Sequence, residues 1–169
     1  MVELSIRQIE KSDLDKMDYT FKSEFGCTHA DDLHDQSLSN ISFFVAWLND
    51  NPVGHALVRW LGPREERVRK DYPDCPEIYR LKVLKEFRDQ GIATEIIKKC
   101  ENEALRRNYL LIGLGTDPNI SSNDNLYKRS GYEPSTVSCY VDTYKTRLED
   151  GTIVTIRKDA QFLIKTLRD

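Results

Sequence analysis

The chain has 169 residues, of which 39% are apolar and 31% are charged, with both signs mixed. This length predicts one domain over residues 1–169, and the composition excludes a disordered chain. A net charge of −3 gives a nucleic-acid partner no electrostatic support, and no apolar run approaches the ~20 residues of a membrane span.

The N-terminus and the cysteines indicate the compartment. Acidic residues occupy the place where a signal peptide has a basic and then an apolar segment, so we expect a cytoplasmic protein. The four cysteines lie far apart and form no C-x-x-C pair. We therefore expect reduced thiols and no metal site.

The first half of the chain predicts a strand, short helices and a hairpin. Residues 2–9 alternate as a strand does, and Ser12 and Asp15 form a capping-box pattern that begins a helix. Residues 19–40 contain helical patches between loops. Two aromatic-rich apolar runs, 42–48 and 53–61, flank an Asn-Asp-Asn-Pro turn and indicate a β-hairpin.

The second half predicts alternating strands and helices. A strand over 77–84 precedes a helix from Gln90 to about Asn108, and a strand over 109–115 precedes a short helix that ends at Gly131. A hairpin of residues 136–148 and 152–158 follows, and 161–167 form a last, separate strand. This order predicts an α/β (α+β) protein whose mixed sheet carries helices on its faces.

The start of the helix after the 77–84 strand has the features of an anion site. A helix N-terminus has unpaired N–H groups and the positive end of the helix dipole. Gly91 and Ala93 leave its backbone open to a phosphate, and Arg88 adds a positive charge. The stretch predicts a pyrophosphate site, with a plain turn whose glycine serves packing as the alternative.

Two motifs carry a resemblance to a known family. Residues 81–97 resemble the acetyl-CoA-binding signature of the GNAT family of N-acetyltransferases, Arg/Gln-x-x-Gly-x-Gly/Ala after a Leu-x-Val strand. Residues 126–132, Leu-Tyr-Lys-Arg-Ser-Gly-Tyr, match the family's Leu-Tyr-x-x-x-Gly-Phe/Tyr element. The resemblance implies a GNAT-type mixed, mostly antiparallel twisted sheet of about seven strands with helices on both faces.

The resemblance also implies an activity. Such an enzyme, an acyltransferase, moves an acetyl group from acetyl-CoA to a primary amine by direct attack, without an acyl-enzyme. The backbone from Leu81 through Lys82 to Val83 would hold the pantetheine arm, with the Val83 N–H aimed at the thioester carbonyl. The pyrophosphate would lie on the residues at the helix start, Arg88, Asp89, Gln90, Gly91, Ile92, Ala93 and Thr94.

Further roles follow from the family's motif positions. Tyr127 holds the place of the tyrosine that donates to the leaving thiolate, with a buried core aromatic as the alternative. Asn123 is chosen over Asn119 as the residue that contacts the pantetheine amides. Tyr132 holds the place of a core aromatic.

Glu77 is the best candidate for the base that deprotonates the amine. Regular alternation would put its side chain on one face with Tyr79, Leu81 and Val83. A strand-start carboxylate that meets solvent is the alternative. His29, His34 and Glu24 are weaker candidates.

The acceptor is expected to be a small-molecule amine, and a protein or peptide amine is the alternative. Four acids in the segment that usually lines the acceptor cleft favour a cationic acceptor: Glu24, Asp31, Asp32 and Asp35. The competing functions are a catalytically silent acyl-CoA-binding module and an enzyme with a longer acyl donor. We expect a monomer or a homodimer, in which the C-terminal hairpin forms a substrate wall or a dimer edge.

Overall fold

The computed structural model describes residues 3–22, 27–119, 121–137, 139–148 and 150–168, with the backbone alone at 121–124 and 147. In these ranges the chain forms five α-helices, α1 Leu14–Thr20, α2 His29–Ser37, α3 Glu66–Asp71, α4 Ile92–Arg106 and α5 Ser121–Arg129. The strands are β1 Leu4–Gln8, β2 Ile41–Leu48, β3 Asn51–Arg59, β4 Glu77–Val83, β5 Leu111–Thr116, β6 Glu133–Pro134, β7 Tyr140–Arg147 and β8 Ile153–Thr166. None of the described helices is long and apolar enough to cross a membrane.

The strands form one mixed sheet in the order β1-β2-β3-β4-β5-β8-β6, with β7 paired to β8. Among the described pairs only β4 and β5 run parallel. The predicted fold class, a mostly antiparallel sheet of about seven strands, is confirmed, and the strand count is eight.

The last strand differs from the sequence prediction. Residues 152–158 and 161–167, predicted as two strands, fall almost entirely within the single strand β8, Ile153–Thr166. Its first half pairs with β7 and its second half with β5. No glycine or proline interrupts residues 152–167, so the backbone continues from one partner to the other.

The helices cover both faces of the sheet, as predicted. On one face α4 buries Ile96, Ile97 and Cys100 against the strands. On the other face α1 contributes Met17 to a cluster that includes Phe43. The apolar stripe of α4 explains why the helix packs here, since residues three and four apart share one side of a helix.

The cap of the first helical segment is shifted from its predicted place. The capping box joins Glu10 and Asp13 rather than Ser12 and Asp15, because a 3-10 turn, Lys11–Asp13, precedes α1. The Glu10 N–H donates to the Asp13 carboxylate at 2.8 Å. Arg7 donates to both oxygens of that carboxylate, at 2.7 and 2.8 Å. These two bonds fix the position of the Asp13 carboxylate.

A β-bulge interrupts β4. Arg80 and Leu81 lie opposite one residue of β3, Ala56, and Arg80 has a φ of +53°. The extra residue reverses the alternation of side chains, so Leu81 and Val83 pack on the α4 face while Tyr79 packs on the other. The prediction that Glu77, Tyr79, Leu81 and Val83 share one face is therefore wrong.

Beyond the bulge β4 separates from β5. Their parallel pairing is confined to Glu77 with Gly113 and Ile78 with Leu114. In the described chain, residues 79–83 pair only with β3. The other edge of this part of β4 therefore has no strand beside it among the described residues.

Candidate active site

Two cavities lie along β4. The larger, of about 1000 Å³, is lined by residues 81–83 together with the start of α4 and part of α5. The smaller, of about 540 Å³, is lined by residues 77–80, the end of β5 and the hairpin of β7 and β8. Arg80 lines the smaller cavity and Leu81 the larger, so the boundary between the two cavities on β4 falls at the bulge.

Most of the residues predicted to bind the cofactor line the larger cavity. Ten do so, namely Leu81, Lys82, Val83, Arg88, Asp89, Gly91, Ile92, Ala93, Thr94 and Tyr127. Gln90 does not line it, and its side-chain amide donates to the Glu86 carbonyl at 3.2 Å. The side chain of Asn123 lies outside the described residues.

The larger cavity offers backbone groups at the free edge of β4. Neither Leu81 nor Val83 pairs with β5 among the described strand pairs. A free strand edge can pair with an extended ligand through its N–H and C=O groups. The edge therefore fits the amide-bearing pantetheine arm of coenzyme A.

The start of α4 fits an anion. The helical hydrogen bonds begin with Glu95 N–H, which donates to the Gly91 carbonyl at 3.1 Å, so the preceding N–H groups have no partner in the helix. Gly91 has a φ of +81°, and a Cβ placed on it would have no heavy atom within 4 Å. Packing therefore does not require a glycine here. Glycine is favoured because the position has a positive φ and because a side chain would narrow the approach to the helix N–H groups.

Arg88 is held beside this helix start. Its Nε donates to the Val83 carbonyl at 3.1 Å, and the residue lines the larger cavity. The hydrogen bond anchors the guanidinium between β4 and α4, where its charge adds to the positive end of the helix dipole. The arrangement suits a pyrophosphate.

Tyr127 lies at the inner side of the larger cavity and is 9% exposed. Its ring makes an edge contact with Tyr132, with centroids 6.2 Å apart. Burial raises the pKa of Tyr127 to about 12, so its phenol is protonated at neutral pH and can donate a hydrogen bond. The Tyr132 hydroxyl instead donates to Glu101 at 3.0 Å, in keeping with the core role expected of it.

Glu77 lines the smaller cavity and is buried, so the alternative of a solvent-facing carboxylate is wrong. Its Oε2 accepts hydrogen bonds from Arg59 Nη1 at 2.5 Å and from the Arg64 backbone N–H at 3.0 Å. Burial raises the pKa of Glu77, and the Arg59 charge opposes that shift. A carboxylate with a raised pKa can act as a base near neutral pH.

The weaker candidates for the base are elsewhere. His29 is buried beside Phe43, with its Nδ1 2.6 Å from the Asp18 carboxylate. Neither His29 nor His34 lines either cavity. Glu24 lies outside the described residues.

The acidic residues predicted near the acceptor divide into different roles. Asp31 forms the capping box of α2 with Thr28 and does not line the smaller cavity. Asp32 lines it but is paired with Arg80, whose Nη1 lies 2.9 and 3.0 Å from the two carboxylate oxygens. Asp35 lines the cavity and is exposed.

The sequence prediction missed several residues of the smaller cavity. Arg59 lies opposite Glu77 in the β3–β4 register, so pairing these two predicted strands would have found it. Arg64 binds both Glu77 and the Asp142 carboxylate of β7. No local signal marks Arg64, Asp142 or Tyr140, because the hairpin brings them together from distant parts of the chain.

No group of three or more His, Cys, Asp or Glu side chains in the described ranges is arranged to hold a metal ion. The side chains that line the two cavities offer carboxylates, phenols, guanidinium groups and ammonium groups.

Comparisons with known proteins place the chain in a family. The model of the acetyltransferase (GNAT) family matches residues 5–132. An uncharacterized N-acetyltransferase of Methanocaldococcus jannaschii is 30% identical over 97 residues, which cover 56% of this chain and 40% of that relative's length.

Solved structures share the fold. The ribosomal-protein-S18-alanine N-acetyltransferase of Escherichia coli superposes with a TM-score of 0.66 at 14% identity, covering 99% of this chain and 96% of the other. A GNAT family acetyltransferase of Elizabethkingia anophelis, solved with acetyl-CoA bound, has a TM-score of 0.60 at 19% identity, with 97% and 98% covered. The predicted family, a family of acyltransferases, is confirmed. The chain belongs to the GNAT family of acetyltransferases.

Proposed function

We propose that this protein is an N-acetyltransferase that transfers an acetyl group from acetyl-CoA to a primary amine by direct attack, without an acyl-enzyme. One observation carries the proposal: the boundary between the two cavities on β4 falls at the bulge, with Tyr127 in the larger cavity and Glu77 in the smaller. Donor and acceptor can thus approach the same strand from two sides.

The larger cavity is assigned to acetyl-CoA. Three features of it fit coenzyme A: the edge of β4 at Leu81 and Val83 that does not pair with β5, the open backbone at Gly91 and the charge of Arg88. Acetyl-CoA supplies the thioester whose C–S bond breaks as the new C–N bond forms. The backbone and Arg88 hold and orient the donor, which lowers the entropic part of the barrier.

Glu77 and Tyr127 are assigned to the proton transfers. A substrate ammonium has a pKa near ~10 and must lose a proton before its nitrogen can attack. Glu77 takes that proton, and Arg59 keeps the carboxylate ionised until then. Tyr127 gives a proton to the departing sulfur. It regains a proton from the attacking nitrogen, which has already lost one proton to Glu77 and loses a second as the amide forms.

The smaller cavity supports a small, cationic acceptor. Its volume of about 540 Å³ lies within the range of small-molecule sites, roughly 300–1,000 Å³. The carboxylates of Asp32, Glu77 and Asp142 are paired with arginines. Asp35, Asp117 and Asp159 also line the cavity and form no ion pair in the described chain. They outnumber the one further cation of the described lining, Lys158, so negative charge is left over.

An amine on a protein is the second acceptor class. The E. coli neighbour is described as acting on an alanine of a ribosomal protein, and the smaller cavity opens to solvent beside β7 and β8. A silent acyl-CoA-binding module is disfavoured because Glu77 and Tyr127 both lie at the cavities and have perturbed pKa values.

The test is release of free thiol from acetyl-CoA with a panel of diamines, neutral monoamines, amino acids and peptides. We expect turnover with cationic small amines, and a fall of about 10²-fold or more in kcat/KM for Glu77→Gln, because general base catalysis is lost. Glu103→Gln, at a carboxylate of α4 that lines neither cavity, is the control and should match the wild type.

Coenzyme A binding without thiol release on any amine would favour the silent module. Thiol release only from longer acyl donors would identify a different acyltransferase. Turnover confined to peptides would replace the small-molecule acceptor.

A further inference from the structure

The C-terminal hairpin brings a tyrosine into the smaller cavity. Tyr140 begins β7 and pairs with Ala160 of β8. Its ring is 7% exposed and packs in an apolar cluster with Val137 and Phe162. The packing fixes the ring, so its hydroxyl has a defined position in the cavity.

The Tyr140 hydroxyl lies over Gly115, at the end of β5. A Cβ placed on Gly115 would be 2.6 Å from the Tyr140 hydroxyl oxygen, 3.9 Å from its Cζ and 4.0 Å from Glu77 Oε1. Both oxygen atoms therefore lie around the same point in space. Glycine inside a strand costs stability, and here it leaves room for the hydroxyl.

The two oxygen atoms are also free for a ligand. Both hydrogen bonds to Glu77 go to Oε2, from Arg59 and from the Arg64 backbone. Within the described part of the chain, neither Glu77 Oε1 nor the Tyr140 hydroxyl has a hydrogen-bond partner. Two partly buried acceptors that face one space without a protein donor suit a ligand with several N–H groups.

We propose that Tyr140 is a second catalytic residue of the acceptor site, whose hydroxyl binds the acceptor nitrogen together with Glu77 Oε1. This inference rests on the proposed function. An ammonium donates one hydrogen bond to each oxygen; Glu77 takes the proton, and Tyr140 keeps the neutral amine in place as its lone pair turns to the thioester carbon. Burial raises the pKa of Tyr140, so its hydroxyl stays neutral and can accept this hydrogen bond.

The test begins with Tyr140→Phe, which removes only the hydroxyl. We expect kcat/KM for the amine to fall about tenfold or more, as for a lost hydrogen bond to a charged group, while KM for acetyl-CoA stays unchanged. Tyr109→Phe is the control, because that tyrosine stacks on Trp60 outside both cavities and should retain full activity.

A double-mutant cycle with Gly115 tests the geometry. Gly115→Ala alone should lower both the melting temperature and kcat/KM, because the new methyl group collides with the Tyr140 hydroxyl. In the Tyr140→Phe background the nearest ring atom lies at an ordinary contact distance, 3.9 Å. There, Gly115→Ala should cause little further change in either quantity.

The outcomes separate this inference from the proposed function. If the wild type acetylates an amine and Tyr140→Phe has the same kcat/KM, the role of Tyr140 is overturned and the proposed transferase activity is not. Equal effects of Gly115→Ala in both backgrounds would overturn the geometry. Wild-type protein that binds coenzyme A but acetylates no amine would overturn the proposed function itself.

Discussion

Arg59 and Glu77 lie opposite each other on β3 and β4, and a hydrogen bond of 2.5 Å joins the guanidinium to the carboxylate. Burial raises the pKa of Glu77, and the positive charge of Arg59 lowers it. The arginine therefore determines how much of the buried carboxylate is ionised at a given pH. Only the ionised form can take a proton from the acceptor.

Replacing Arg59 should change the pH dependence of the reaction. Arg59→Met removes the charge, so the pKa of Glu77 rises further and the acidic limb of the kcat/KM profile moves to higher pH. Arg59→Lys keeps a positive charge and should leave the limb closer to that of the wild type. The measurement is kcat/KM against pH for the wild type and both variants. An acidic limb at the same pH in all three proteins would contradict the role of Glu77 as the base.

Two glycines allow a matched test of the pyrophosphate site. Gly91 and Gly151 have φ values of +81° and +86°, and neither has a heavy atom within 4 Å of an added Cβ. Gly91→Ala and Gly151→Ala should therefore cost similar stability, about 1–2 kcal/mol in urea unfolding, because each forces alanine into a left-handed conformation.

Only Gly91→Ala should weaken coenzyme A binding, because only its methyl group blocks the approach to the α4 amides. Loss of a charge-assisted hydrogen bond, about 1.5–3 kcal/mol, corresponds to about tenfold or more in Kd. Calorimetric titration with coenzyme A measures the difference. If both variants bind coenzyme A with equal affinity, the start of α4 is not part of the binding site.

Tyr127→Phe should slow chemistry more than it weakens binding. The phenol has a pKa of about 12, so it remains a proton donor through neutral pH and loses this capacity only as the pH rises through that value. Without it we expect kcat to fall by about 10²-fold, with nearly unchanged affinity for coenzyme A. A kcat equal to that of the wild type would leave Tyr127 with a packing role.

The buried pair of Asp32 and Arg80 should matter for stability. Their side chains are 6% and 7% exposed, and Asp32→Asn removes the carboxylate charge from this buried pair. We expect a loss of about 1.5–3 kcal/mol in the free energy of unfolding, as for hydrogen bonds between charged groups. Asp35→Asn, an exposed neighbour on α2, should change that free energy by no more than about 0.5 kcal/mol.

Features that depend on local chemistry could be predicted from the sequence. Gly91 opens α4 with a positive φ, and Gly131, after α5, also has one, as their motifs imply. The bulge at Arg80 could not be predicted, because it depends on the register between β3 and β4. The extra residue at the bulge reverses the alternation of side chains that the sequence predicts for β4.

The same distinction applies to the candidate site, where residues marked by a motif could be predicted and residues brought together only by folding could not. Tyr127 and Glu77 were found by motif position and lie at the two cavities. Tyr140 and Arg64 could not be found, because the hairpin folds back onto β5 only in three dimensions. The role of Asn123, the cytoplasmic location, the single domain and the oligomeric state stay predictions.

A crystal structure of the complex with coenzyme A tests the central claim most directly. We predict the pyrophosphate on the backbone amides at the start of α4 beside Arg88, the pantetheine arm along Leu81–Val83, and the sulfur near the Tyr127 hydroxyl. Coenzyme A bound elsewhere, or a sulfur remote from the boundary between the two cavities, would contradict the account.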